Sequence, residues 1–130
     1  MIFVDTNVFI LFVGYEHPHR DRARDFLEGA AEREQALVTS SEVLQEILHY
    51  YHRRGREQSM DAAFDLVDRT VSEVWPVERA DIEGARSLAH SYPGLEARDL
   101  VHLACCIRRK PRDLVTFDRA LAAAWDSSRA

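Results

Sequence analysis

The stretch Met1-Ile2-Phe3-Val4-Asp5-Thr6-Asn7 is an apolar run that stops abruptly on a carboxylate. Consecutive apolar residues bounded by a polar cluster suit a short strand covered on both faces. Similar runs recur at Ala36 to Thr39, Val71 to Val77 and Leu114 to Phe117, and the last again ends on an aspartate, Asp118. The intervening segments carry helical spacing, at about His19 to Arg33, Ser41 to Arg54, Glu57 to Arg69, Arg79 to Ser91 and Arg98 to Arg109, with a final helix after Asp118. Strands alternating with helices, with no Asn-Gly hairpin signal between them, predict an α/β fold whose parallel sheet is covered by helices on both faces. Gly55 and the Pro93-Gly94 pair separate helices, and Pro76, which cannot donate to a ladder, marks the third strand as an edge or as ending early.

The 130 residues are enough for one domain and one buried core. Hydrophobic residues at 46% and charged residues at 30% exclude a disordered or collagen-like chain. No apolar run approaches the roughly 18 residues of a membrane span, and the apolar start lacks a cationic leader, so a cytoplasmic location is expected. Cys105 and Cys106 are adjacent and have no zinc-type spacing, which predicts reduced, buried thiols. Lys+Arg 17 against Asp+Glu 22 gives −5, which argues against a simple polycationic coat for nucleic acid. All the cations except Lys110 are arginine, the better bidentate phosphate ligand, although genomic base composition produces the same bias.

In an open parallel sheet, ligands bind beyond the carboxyl ends of the strands, which singles out Asp5 and Asp118. Each also suits the N-cap of a following helix. Asp99, in Arg98-Asp99-Leu100-Val101-His102, lies in the first turn of a helix, where a carboxylate is favoured by the macrodipole. On the helix after Ser41, the stripe of Val43, Leu44, Ile47, Leu48 and Tyr51 leaves Glu42 nearly opposite the core and Glu46 near its edge, beside Tyr50. Glu42 stands three after Thr39, as in a capping box, so Glu46 is the better site residue. Such acids, gathered with no lysine near, repel one another and raise their pKa values unless a cation neutralises them. Oxygen donors without Cys or His point to Mg²⁺ or Mn²⁺, and that metal chemistry points to phosphodiester hydrolysis.

The segments Val4-Asp5-Thr6-Asn7, Glu46, Arg98-Asp99-Leu100-Val101-His102-Leu103-Ala104 and Val115-Thr116-Phe117-Asp118 together resemble the PIN-domain ribonucleases, in particular the VapC-type toxins of toxin-antitoxin pairs. The resemblance spans nearly the whole chain and implies one PIN domain over residues 1–130, a three-layer α/β/α sandwich around a parallel sheet of four to five strands. By position it assigns Asp5, Glu46, Asp99 and Asp118 to the acids that hold Mg²⁺ or Mn²⁺, and Thr6, Asn7 and Thr116 to the polar positions that accompany them. It further implies a homodimer, a VapB-type antitoxin that occupies the groove and forms a heterotetramer or larger complex, and RNA substrates such as transfer RNA or ribosomal RNA loops. Cleavage of that kind leaves a 5′-phosphate and a 3′-hydroxyl.

Two other readings fit parts of the pattern. A Mg²⁺-dependent phosphatase or phospho-acceptor domain would use Asp5 as nucleophile but would want a lysine beside the phosphoryl group, and Lys110 stands before the fourth strand. A non-catalytic PIN-like module for RNA or protein has no use for an intact acid set. The clusters Arg53-Arg54-Arg56 and Arg108-Arg109-Lys110-Arg112 are candidates for phosphate contacts, or else solvated helix ends. His102 suits either a packed core position or a place beside the acids, while the pairs His17/His19 and His49/His52 read as surface residues. Phe12, Tyr15, Tyr50, Tyr51 and Trp125 are candidates for stacking on bases or for the core.

Overall fold

In a computed structural model describing residues 1–14 and 17–130, the strands are β1 (Ile2–Val4), β2 (Leu37–Ser40), β3 (Glu73–Trp75) and β4 (Asp113–Val115). The helices are α1 (Thr6–Val13), α2 (Arg20–Glu32), α3 (Ser41–Arg54), α4 (Glu57–Thr70), α5 (Arg79–Leu88), α6 (Ala97–Arg109) and α7 (Arg119–Arg129). All strand pairs are parallel, in the order β3-β2-β1-β4. Phe3 sits between Val38 and Leu114 in register, so β1 is central and buried on both sides.

The strand order accounts for the layers. From β1 the chain steps twice in one direction, to β2 and β3, and then returns past β1 to β4. Because parallel crossovers are right-handed, the reversal moves the connecting helices to the other face. Accordingly α1, α2, α3 and α4 pack with one another, α5, α6 and α7 form a second set, and the sheet lies between them. The expected three-layer sandwich has its core in Phe3, Val4, Phe9, Val38, Ile47, Leu66, Leu103 and Leu121.

β3 lies at the edge and stops at Trp75, immediately before Pro76, as the missing donor requires. Cys105 and Cys106 are free and buried, and burial pushes the Cys105 thiol up to about 12, which leaves it unreactive. Helix α1 is an addition to the expected elements. Its residues Thr6–Val13 form a second apolar run directly after β1, and Asp5 turns the strand into the helix by accepting from the Thr6 N–H at 2.7 Å. No helix among the described residues is long and apolar enough to cross a membrane.

Candidate active site

The sheet changes direction between β1 and β4, and both strands end on a polar residue there: Asp5 after β1 and Thr116 after β4. One network ties these two ends together. Asp5 Oδ2 accepts from the Thr116 hydroxyl at 2.7 Å. Thr116 Oγ1 in turn accepts from the Asn7 amide at 3.1 Å and from the Asp118 N–H at 3.0 Å, so its hydroxyl is used fully. Asn7 Oδ1 accepts from the Phe117 N–H at 3.2 Å and closes the clasp.

Asp118 caps α7 through one oxygen, Oδ1, which accepts from the Ala120 and Leu121 amides at 2.9 and 3.2 Å. Cap and groove residue are therefore one role here, since Asp5, Glu46, Asp99 and Asp118 all line the same open groove of about 720 Å³. Thr6 and Asn7 also line it, and the Thr6 hydroxyl is buried with no hydrogen-bond partner. Asp5 and Glu46 approach closely, and the wholly buried His102 on α6 bridges them: its Nε2 contacts Glu46 Oε1 and lies 3.4 Å from Asp5 Oδ1. Asp99 and Asp118 sit in the same groove but outside that tight cluster.

The electrostatics follow from that crowding. Burial, and next the charges of Asp118 and Asp5, push the Asp99 carboxyl up to about 6. Burial likewise raises Asp5, against the opposing pull of His102 and Thr116. On His102, burial disfavours the charge, but the bond to Glu46 and the field of Asp5 outweigh it and hold the ring above its ordinary value. Hard oxygen donors in mutual repulsion, with an unsatisfied hydroxyl among them, fit a divalent cation.

Two expectations change. Ser40, not Thr39, caps α3: its hydroxyl accepts from the Val43 N–H, while Thr39 donates to the Val4 carbonyl at 2.8 Å. Glu42 is consequently free of a capping box. It is half-buried instead of standing opposite the core, lies outside the groove lining, and its carboxyl is raised by burial and next by Glu46 one turn on. Of the aromatic candidates, Tyr50 lines the groove, Tyr51 and Trp125 are core, Phe12 is partly buried under Arg24, and Tyr15 lies outside the described residues. His17, His19 and His49 stand at the groove rim.

A PIN-domain family model matches residues 2–125. The chain belongs to the PIN-domain family. Ribonuclease VapC23 of Mycobacterium tuberculosis (strain CDC 1551 / Oshkosh) is 54% identical over 127 residues, covering 98% of this chain and 100% of its own, which places the chain among the VapC ribonucleases of that family. Among solved structures, the Mycobacterium tuberculosis VapC20, a Sarcin-Ricin loop cleaving toxin, superposes with a TM-score of 0.78 at 23% identity over 95% of both chains. VapBC2 from Rickettsia felis, bound to a DNA fragment from its promoter, gives 0.70 at 20% identity over 91% of this chain and 89% of that one. These two likenesses concern the fold. PIN nucleases depend on divalent metal, and the acidic groove is where this family member has the donors for it.

Proposed function

We propose that this protein is a Mg²⁺-dependent endoribonuclease, with Mn²⁺ as a substitute, and the toxin of a toxin-antitoxin pair, folded as a single PIN domain over residues 1–130. Asp5, Glu46, Asp99 and Asp118 hold the ion, and Thr6, Asn7 and Thr116 accompany them. The observation that carries the reading is the groove itself, where acids from separate elements face one space and raise one another's pKa. When bound, a divalent ion supplies Lewis acidity toward a phosphoryl oxygen and toward water, and it cancels the repulsion among the acids.

The chain's own residues do the rest. The Thr116 and Asn7 clasp fixes Asp5 and Asp118 relative to each other across two strands, so the acids need little reorganisation on loading. Arg53 and Arg54, at the rim on α3, are placed to meet the phosphates of an RNA strand entering the groove. Transfer RNA or ribosomal RNA loops are the proposed substrates, hydrolysed to a 5′-phosphate and a 3′-hydroxyl. A VapB-type antitoxin neutralises the enzyme by occupying the groove, in a complex built on a homodimer in the cytoplasm. The kinship with named VapC ribonucleases supports both the RNA and the antitoxin.

Asp99→Asn and Asp5→Asn each remove one charge at nearly constant shape. RNA cleavage in Mg²⁺, followed by end-sequencing of the products, should fall by at least about 100-fold in either variant, as expected for groups that organise a metal site. Wild-type cleavage by both, with unchanged circular dichroism, would remove the mechanism.

A further inference from the structure

Asp5, Glu46 and His102 each offer one atom, and these atoms lie within 4.8 Å of one another, the outline of a three-ligand metal site. The hydrogen on the imidazole argues against counting all three as ligands. Nε2 meets Glu46 Oε1 and, at 3.4 Å, Asp5 Oδ1, and a carboxylate oxygen accepts but does not donate. With both carboxylates ionised, Nε2 is the donor in these contacts and carries the ring's hydrogen. To ligate, it would have to release that proton and the bond to Glu46. The neutral ring would then carry its hydrogen on Nδ1, which is buried and has no hydrogen-bond partner among the described residues. Metal-bound imidazoles hand that second N–H to an acceptor, and the described residues provide none. The ring is wholly buried against Phe3, 5.8 Å between centroids, in the helix that also carries Asp99.

We infer that His102 is the positioning residue of the acid pocket and not a metal ligand: its Nε2–H holds Glu46 Oε1 beside Asp5, leaving Oε2 as the free oxygen of Glu46. This inference rests on the nuclease reading of the groove. It makes His102 a direct polar link between α6 and the acid on α3.

The test begins with long-range ¹H–¹⁵N NMR of the imidazole in the full chain. A proton on Nε2 both in metal-free protein and after saturation with Mg²⁺ is expected; loss of that proton on adding Mg²⁺ would overturn the inference. Calorimetry with Mn²⁺ then compares two variants whose folding is checked by circular dichroism. His102→Leu should weaken Mn²⁺ binding about 10- to 100-fold and lower kcat with little change in KM for RNA. His102→Gln retains a donor near the Nε2 position and should restore most of the loss. Equal loss in both variants would mark His102 as a ligand, and wild-type binding in both would mark it as core packing; either overturns the inference. Failure of the wild-type chain to bind Mg²⁺ or Mn²⁺ would instead sink the nuclease reading, and the metal-free NMR would still decide the hydrogen bond to Glu46.

Discussion

Two helices of this molecule end in nearly the same letters and use their cations differently. α3 closes with His52, Arg53 and Arg54 before Gly55, and α6 with Arg108 and Arg109 before Lys110. Cations at a helix C-terminus are favoured by the macrodipole in both places. In α6 they are consumed by the fold. The wholly buried Asp81 accepts from Arg108 at 2.7 Å and from Arg109 at 2.8 Å, and Arg109 also donates to the Pro76 carbonyl at 3.1 Å and covers Trp75. In α3, Arg54 lies on the Tyr50 ring at 3.6 Å and bonds the Tyr50 carbonyl at 2.9 Å, and Arg53 and Arg54 line the groove with no carboxylate paired to them among the described salt bridges. Whether an acid waits on a neighbouring helix decides which arginines are left for a ligand.

The largest effect should come from breaking the α6 side. Asp81→Ala leaves two guanidinium groups facing an empty pocket and should cost about 3 kcal/mol, the low end for losing one partner of a buried pair, because Arg108 still reaches water. Urea unfolding measures it. Burial alone would raise Asp81, but the bonds from Arg109, the Glu78 N–H and Arg108 hold it at about 2. A carboxyl lowered in the folded state contributes stability that is present above its unfolded value and lost as pH falls through the folded one. Wild-type stability should therefore decline from about pH 4 toward pH 2 by an increment that Asp81→Ala lacks.

Breaking the α3 side should leave the fold almost untouched. Arg53→Ala combined with Arg54→Ala should change unfolding free energy by no more than about 0.5 kcal/mol per site, since both are surface groups. Binding of RNA to the Asp99→Asn form should weaken, and its salt dependence should become shallower by roughly 0.7 in log–log slope for each phosphate that is no longer neutralised. Unchanged affinity and slope would reduce this cluster to a solvated helix end.

The caps sharpen the comparison without touching either arginine pair. Both helices terminate in a left-handed residue, Gly55 at φ 63° and Lys110 at φ 54°. A Cβ in that region is strained, so Lys110→Gly should raise the thermal midpoint slightly, by the equivalent of about 0.5 kcal/mol, and Gly55→Ala should lower stability by about 1 kcal/mol.

Much of this was legible because parallel sheets put strong constraints on where polar residues can sit. Asp5 and Asp118 stood out as carboxylates directly after apolar runs, although β4 itself ends at Val115, and Pro76 announced an edge from the chemistry of one missing hydrogen. Helix α1 was not legible: Thr6–Val13 is apolar nearly throughout, and a segment buried on several sides carries little periodicity to separate helix from strand. The Glu42 reading failed by one residue of register, since a cap at Ser40 instead of Thr39 removes the reason for Glu42 to fold back on the helix start. The roles of the arginine clusters were invisible for another reason. Asp81 is 27 positions from Arg108 along the chain, and no local pattern reports a contact across that separation.

The clasp between Asn7, Asp5 and Thr116 joins β1, the first strand of the sheet, to β4, its last. During translation, then, the pocket cannot close while Thr116 and Asp118 are still inside the ribosomal tunnel, whatever the earlier segments have already folded into. The groove is thus a property of the whole sheet, complete only when the strand made last has docked beside the strand made first.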